Sequence, residues 1–106
     1  MHEVNIAKRI MQKVGDKKIK KIKISVGELC DFFPEEIKET LEKLSGWEVE
    51  VVEEESYIEC ECGYKGRTKI IEKAHGFILY TCPKCNRKPV VLKGDDVKIL
   101  EVEECA

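Results

Sequence analysis

Two pairs of cysteines constrain the folding of this chain more than any other feature of its sequence. They occur as Cys-Glu-Cys at residues 60–62 and Cys-Pro-Lys-Cys at residues 82–85, with nineteen residues between the pairs. This spacing is close to the C-x2-C, x15–20, C-x2-C pattern of a tetrahedral zinc ion bound by four thiolates. A segment this short buries little apolar surface, so metal binding would supply most of its folding free energy. The pattern predicts a structural zinc site formed by Cys60, Cys62, Cys82 and Cys85.

The first cysteine pair is one residue shorter than the zinc pattern. It can still bind one ion if the backbone turns sharply after it, and Gly63 permits the unusual φ that such a turn requires. Pro83 stiffens the second pair. Two local disulfides, or a redox-active thiol pair at Cys82 and Cys85, are the alternative interpretations. Four thiolates leave no open position for a substrate, so we expect a structural zinc ion and a protein that is not an enzyme.

Composition and charge exclude several classes of protein. The 106 residues fit one compact domain with a small appendage. Charged residues make up 38% of the chain, but the net charge is only -2, which argues against a nucleic-acid partner because such proteins concentrate a basic excess on one surface. The sequence contains no apolar run of membrane-spanning length and no signal-peptide pattern. We therefore expect a soluble, cytoplasmic protein with no membrane partner.

The apolar periodicity predicts two helices. In the first, from Glu3 to Val14, apolar residues recur every three or four positions until Gly15 ends the pattern. The second begins at Pro34, a residue suited to the first helical position, and ends at Ser45-Gly46. Both stripes are typical of helices that pack one face against a core.

Alternating apolar residues predict three strands, at residues 19–29, 47–55 and 97–103. The first two flank the second helix and would form a right-handed βαβ crossover if they are parallel. The third would return to the same sheet. We therefore expect an α+β fold with a small mixed β-sheet, two helices and an inserted zinc-ribbon-like domain. We place that domain at residues 59–86, between residues 1–58 and 87–106 of the α+β domain.

The first three residues form a candidate metal site of a different kind. The Met1 amine, the His2 amide nitrogen and the His2 imidazole Nδ1 can close a five-membered and a six-membered chelate ring around one ion. Three nitrogens in one plane suit Ni(II) or Cu(II), and Glu3 could assist through its carboxylate. From the sequence alone, an ordinary exposed histidine is the commoner interpretation.

The order of several motifs along the chain resembles the HypA family. These motifs are Met-His-Glu before a helix, Ile-Ser-Val-Gly-Glu-Leu at residues 24–29, Phe-Pro-Glu at residues 33–35, and the two cysteine pairs. The resemblance covers nearly the whole chain and implies a nickel metallochaperone for [NiFe]-hydrogenase maturation. It implies nickel ligands at Met1, His2 and Glu3 and zinc ligands at the four cysteines. One departure is the C-x-C pair, because the family usually has C-x2-C there.

The resemblance also implies partners and cofactors. Nickel would be carried as Ni(II) and handed on, with the GTPase HypB, to the [NiFe]-hydrogenase large subunit, while Zn(II) would be structural. Urease is a second candidate client. The runner-up function is a zinc-ribbon adaptor or a nucleic-acid-binding module, with Lys17–Lys23 and Lys84–Lys88 as its binding surface.

Three residues outside these motifs complete the candidates. His75 lies seven residues before Cys82 and could supply an additional nickel ligand, which would couple the zinc domain to nickel binding. The simpler alternative is an exposed or hydrogen-bonded loop histidine. Cys30 and Cys105 are expected to be free, partly buried thiols, with a disulfide between them as the alternative.

Overall fold

A computed structural model of the protein describes residues 3–105, which form two helices and eight strands. In chain order these are α1 (Glu3–Val14), β1 (Ile19–Gly27), α2 (Pro34–Ser45), β2 (Glu48–Glu54), β3 (Tyr57–Glu59), β4 (Lys65–Gly66), β5 (Lys69–Ala74), β6 (Phe77–Thr81), β7 (Val90–Lys93) and β8 (Val97–Glu104). Both predicted helices are confirmed at their predicted ends. Met1 and His2, two of the predicted nickel ligands, lie outside the described residues.

The first sheet has the strand order β2-β1-β8. Strand β1 pairs in parallel with β2 and antiparallel with β8. Because α2 connects the two parallel strands, the predicted βαβ crossover is confirmed, and so is the return of the last strand to this sheet. The expected α+β class with a mixed sheet is correct.

The core lies between this sheet and the two helices. Ile22, Ile24 and Val26 share one face of β1 because side chains alternate along a strand, and all three are completely buried. Residues of α1 and α2, including Ile10 and Leu41, belong to the same buried cluster. Neither helix in the described part of the chain is long and apolar enough to cross a lipid bilayer.

The segment between β2 and β8 contains five strands that the sequence did not predict. Strand β3 lies between β4 and β7 in a second sheet, and β5 and β6 form a separate hairpin. These strands have two to six residues each, too few for an alternating pattern to stand out. The pairing of β3 with β7 joins residues 57–59 to residues 90–93, just outside the two cysteine pairs. The domain limits at residues 59 and 86 therefore stay a prediction.

A buried polar cluster, which we call the Glu28 junction, connects the two sheets. It consists of Glu28, Ser56, Arg67 and Thr68. The Glu28 carboxylate accepts hydrogen bonds from the Ser56 backbone N–H and hydroxyl at 2.6 Å each, and from the Arg67 guanidinium at 2.7 Å. The Ser56 hydroxyl in turn accepts the Thr68 N–H at 3.2 Å. These bonds connect the chain after β1 to the chain before β3 and before β5.

Electrostatics hold the Glu28 carboxyl in its ionised form. The residue is only 3% exposed. Burial alone would raise its pKa, but the hydrogen bonds from Arg67 and Ser56 outweigh burial and lower the pKa to about 2. Glu28 is thus a buried charge with hydrogen-bonding partners, as buried charges require.

Candidate metal sites

The structure brings the four predicted zinc ligands together. Their Sγ atoms all lie within 4.8 Å of one another. Those of Cys60 and Cys85 are 3.3 Å apart, and those of Cys62 and Cys82 are 3.7 Å apart. A tetrahedral zinc ion with Zn–S bonds of about 2.3 Å separates its sulfurs by about 3.8 Å. The four-cysteine cluster therefore fits one zinc ion.

The short C-x-C pair forms a turn that closes one residue earlier than the turn of the C-x2-C pair. In the first turn, the Gly63 N–H donates to the Cys60 carbonyl at 2.9 Å. In the second, the Asn86 N–H donates to the Cys82 carbonyl at the same distance. Each of the two donor residues has a positive φ, 95° at Gly63 and 60° at Asn86. The predicted role of Gly63 is confirmed, and the missing residue shortens the turn without removing either cysteine from the cluster.

Contacts within the four-cysteine cluster shift the pKa values of Cys85 and Cys60 in opposite directions. The Arg87 backbone N–H and the neighbouring Cys60 thiol lower the pKa of Cys85 to about 6. The Cys62 N–H lowers the pKa of Cys60, but the side-chain contacts with the other three cysteines, Cys85 first among them, and burial outweigh it and raise that pKa to about 12.

The structure leaves the other cysteines apart from the cluster. None of the six cysteines, all of which lie within residues 3–105, is in a disulfide. Cys30 is buried, and burial raises the pKa of its thiol to about 11. Cys105 is exposed at the end of β8. Both are free thiols, as expected, but Cys105 is exposed rather than partly buried.

The second group of candidate ligands lies at the N-terminal end of α1. It combines Glu3, the first residue of α1, with Glu36 and His75, and the ligand atoms of the three side chains all lie within 4.8 Å of one another. His75 Nε2 is 3.8 Å from a Glu3 carboxylate oxygen, and His75 Nδ1 is hydrogen-bonded to Glu36 Oε2. The sequence analysis gave Glu3 as a nickel ligand implied by the resemblance and His75 only as a candidate for an additional one, and the structure places the two side chains together.

His75 reaches this position because it lies at the tip of the β5–β6 hairpin, which packs back onto the α+β domain. The Gly76 N–H donates to the Asp31 carbonyl at 2.6 Å. The Lys73 ammonium donates to the Glu28 carbonyl at 3.0 Å and lies 5.2 Å from the centre of the Phe33 ring. A two-stranded hairpin is marginal by itself in water, so these contacts help to fix its tip.

Charge stabilises the contact between the hairpin and α2. The hydrogen bond to Glu36 raises the pKa of His75, and the negative charge of Glu3 adds to the effect. The Phe33 backbone N–H lowers the pKa of Glu36, and His75 contributes as well. The sequence reading did not identify Glu36 as a site residue. The sequence feature that could have drawn attention to Glu36 is its position as the third residue of α2, where a carboxylate commonly completes a capping box.

Comparisons with known proteins identify the family of the chain. A family model described as "Hydrogenase/urease nickel incorporation, metallochaperone, hypA" matches residues 1–104. The hydrogenase maturation factor HypA of Methanothermobacter thermautotrophicus is 32% identical over 100 residues, covering 80% of each chain. That of Thermococcus kodakarensis is 28% identical, covering 97% of this chain and 95% of its own.

A solved structure shares the fold. The solution structure of the Ni metallochaperone HypA from Helicobacter pylori has a TM-score of 0.64 and covers 100% of this chain and 99% of its own. The identity is 17%, so this similarity speaks for the fold alone. The family match, by contrast, extends over almost every residue and includes both cysteine pairs. The chain belongs to the HypA family of nickel-incorporation metallochaperones.

Proposed function

We propose that this protein binds one Ni(II) ion at its N-terminus and delivers it during [NiFe]-hydrogenase maturation. The ligands are the Met1 amine, the His2 amide nitrogen, the His2 Nδ1 atom and the His75 imidazole, with Glu3 beside them. A zinc ion bound by Cys60, Cys62, Cys82 and Cys85 is structural. Since four thiolates fill its coordination sphere, this zinc ion has no catalytic role.

The position of His75 is the observation that carries the proposal. The peptide bond from His2 leads directly into Glu3, and His75 Nε2 lies 3.8 Å from the Glu3 carboxylate. On binding nickel, the N-terminal nitrogens would fill three positions of a planar site and leave one for a fourth donor. An imidazole next to Glu3 is well placed to fill it.

The zinc site supports the nickel site through the hairpin. Strand β6 ends at Thr81, directly before Cys82, and β5 begins at Lys69, seven residues after Cys62. Zinc bound to both cysteine pairs would therefore hold the two ends of the hairpin that carries His75. Loss of zinc would release the hairpin and remove its histidine from the nickel site.

The delivery step requires partners. We propose that HypB, a GTPase, acts with this protein and that the [NiFe]-hydrogenase large subunit receives the nickel, with urease as a further candidate client. Nitrogen ligands bind copper more tightly than nickel in the Irving–Williams order, so the metal that is delivered must be selected by supply and by these partners. We place this activity in the cytoplasm.

Two of the lysines that a nucleic-acid-binding module would use, Lys21 and Lys23, are flanked by acids. Lys21 lies opposite Glu48 on β2 and Glu103 on β8, and Lys23 lies between two further glutamates in the same way. Glutamates on both sides reduce the positive potential that a phosphate backbone would meet. The structure therefore favours the metallochaperone over this alternative.

A nickel titration tests the proposal. Untagged, zinc-loaded protein that begins at Met1 is titrated with Ni(II) by calorimetry and visible absorption, beside His2→Ala and a variant with residues added before Met1. We expect one equivalent to bind the native protein with proton release and a planar-type spectrum, and both variants to lose this site. Equal binding by all three proteins, or binding by none, would contradict the proposal.

A further inference from the structure

We propose that the outer face of the β5–β6 hairpin is a docking surface for an acidic protein, the one that receives the nickel. The acidic chemistry of this partner follows from the charge around the hairpin, and the apolar centre of the contact follows from exposed side chains. Only the naming of the partner as the nickel recipient rests on the proposed function. The surface itself rests on described residues.

One face of the hairpin packs toward the α+β domain. Residues that pair across two antiparallel strands share a face, and the pair Lys73 and Ile78 is half-buried. The Lys73 ammonium donates to the Glu28 carbonyl, and Ile78 lines a cavity together with Ile6 of α1. This inner face of the hairpin is therefore covered by its own chain.

The opposite face of the hairpin exposes large apolar side chains. Phe77 and Leu79 lie two residues apart on β6, so they share this face, and they pair with Ala74 and Glu72 of β5. Ile71, where the register of the two strands shifts, is also exposed. Adjacent exposed apolar residues with polar neighbours are typical of a surface that binds another protein.

The cysteine-bearing segment, residues 57–93, has a net charge opposite to that of the rest of the chain. It contains eight basic and three acidic residues, a net charge of +5, whereas the remainder contains eleven basic and eighteen acidic residues, a net charge of -7. A zinc ion with four thiolates carries a charge of -2, so the zinc-loaded segment would keep a net charge of +3. A basic surface fits an acidic partner, because opposite charges speed association and disfavour other partners.

Two lysines of this segment lie at the ends of the hairpin strands. Lys69 is the first residue of β5, and Lys84 follows the last residue of β6 by three positions. Both are exposed, and neither ammonium forms a salt bridge with a carboxylate of residues 3–105. Their charges therefore add to the positive potential that a partner meets on approaching the hairpin.

An acidic protein fits the outer face better than a nucleic acid does. Surfaces that bind single-stranded nucleic acid combine a basic groove with aromatic side chains on which successive bases stack. The outer face has one exposed aromatic ring, Phe77, beside the aliphatic Leu79, and the Glu72 carboxylate lies opposite Leu79. An apolar centre within a charged rim is the usual anatomy of a protein–protein interface.

The location of the hairpin connects this surface with the delivery of nickel. Phe77 lies two residues after His75, whose ring lies beside Glu3 at the start of α1. A protein docked on the outer face would therefore be close to the N-terminus of the chain. Transfer of an ion requires the recipient to approach the donor site, so the recipient is the partner that this surface serves.

Binding of the nickel-free [NiFe]-hydrogenase large subunit to the zinc-loaded protein, measured by calorimetry and surface plasmon resonance, tests the inference. We expect Phe77→Ala and Leu79→Ala each to weaken binding by roughly 10-fold or more, as truncation of an interface anchor does. Leu44→Ala is the matched control, because Leu44 of α2 is 45% exposed and Leu79 is 44% exposed. Lys69→Glu and added salt should slow association, whereas Lys38→Glu, at an exposed lysine of α2, should not.

Nickel titrations of the same variants separate the inference from the proposed function. Each variant should bind zinc and nickel as the native protein does, since none of the changed side chains is a proposed ligand. Equal binding of the large subunit by Leu79→Ala and the native protein, or no binding by the native protein, would overturn the inference while nickel binding still stood. Binding of a double-stranded DNA fragment that Lys69→Glu abolishes, without binding of the large subunit, would also overturn it. If the native protein docks through Leu79 but binds no nickel, the proposed function fails and the docking surface stands.

Discussion

The α+β domain and the cysteine-bearing segment between β2 and β8 are held together by different forces. The first has a continuous apolar core that joins both helices to the sheet β2-β1-β8. The buried cluster of the second consists of Ile58, Cys60 and Cys82, so two of its three residues are proposed zinc ligands. Apolar burial accounts for the stability of the first region, whereas the second would depend on the proposed zinc ion. In our proposal, zinc therefore controls the folding of one region and, through the hairpin, the position of a nickel ligand of the other.

The contacts between the two regions make this control feasible. The Glu28 junction connects the sheets, and the hairpin places His75 beside Glu3. Each contact joins the region with the large apolar core to the region with only a small buried cluster. Conditions that unfold the second region should therefore change nickel binding while leaving the first region intact.

Zinc removal should have the largest effect. Structural zinc sites contribute about 10–16 kcal/mol of binding free energy, far more than the small cluster around Ile58 can supply. Chelation of zinc, or Cys82→Ser, should therefore unfold residues 57–93 while β1, β2, β8 and both helices stay folded. Hydrogen exchange measures this directly. Cys105→Ser is the matched control, since Cys105 is exposed and outside the cluster, and undiminished protection of residues 57–93 without zinc would contradict the comparison.

Truncation of a side chain in the apolar core should have the next largest effect. It should destabilise the α+β domain and leave the cysteine-bearing segment with its zinc. Leu41 on α2 is completely buried, whereas Leu44 is 45% exposed. Leu41→Ala should destabilise the α+β domain by about 2–5 kcal/mol, since it leaves a cavity. Leu44→Ala should lower the free energy of unfolding much less, because Leu44 is already partly in solvent. Denaturant unfolding followed by Trp47 fluorescence measures both, and zinc content should stay at one equivalent per chain in each variant.

A substitution at the Glu28 junction should lower stability by a smaller amount, and it should weaken the contact between the two regions. Glu28→Gln removes the buried charge from Arg67 and leaves hydrogen-bonding groups imperfectly paired, which costs about 1–3 kcal/mol. Arg67 is 58% exposed, so solvent screening limits the loss. Hydrogen exchange should increase in the β5–β6 hairpin, and nickel affinity should fall. Glu55→Gln removes a more exposed partner of Arg67 and serves as the control; equal effects of the two variants would rule out a special role for the junction.

The pH dependence of the junction should be the smallest effect. The folded state lowers the pKa of Glu28 to about 2 from its ordinary value of 4.5. A lowered pKa means that the stabilisation is fully present above pH 4.5 and is lost as the pH falls from 4.5 through 2. The stability difference between wild type and Glu28→Gln should therefore shrink over this interval. A difference that stays constant in acid unfolding experiments would show that the charge of Glu28 does not matter.

The two regions also differ in how far the sequence predicts them. Strand β1 alternates over nine residues and α1 carries a regular stripe, so both follow from local periodicity. Strand β4 has two residues and β3 has three, and their pairing partners include β7, more than thirty residues further along the chain from β3. Local pattern cannot reveal strands that depend on such distant contacts.

The two candidate metal sites also differ in how far the sequence predicts them. The proposed zinc ligands could be predicted from the sequence because the spacing of four cysteines is itself the signal. The meeting of His75 with Glu3 depends on how the hairpin packs, and the sequence offered His75 only as a candidate. Glu36 was missed because its role requires both a helix end and a hairpin tip to be known. Its place in the capping box was visible, but the histidine partner was not.

Nickel X-ray absorption of the untagged, zinc-loaded protein, compared with His75→Ala, tests the central claim most directly. This measurement counts the imidazoles bound to nickel. The account predicts two for the native protein, from His2 and His75, and one for His75→Ala. Identical spectra with a single imidazole in both proteins would contradict it, because the zinc-dependent hairpin would then contribute no ligand to the nickel site.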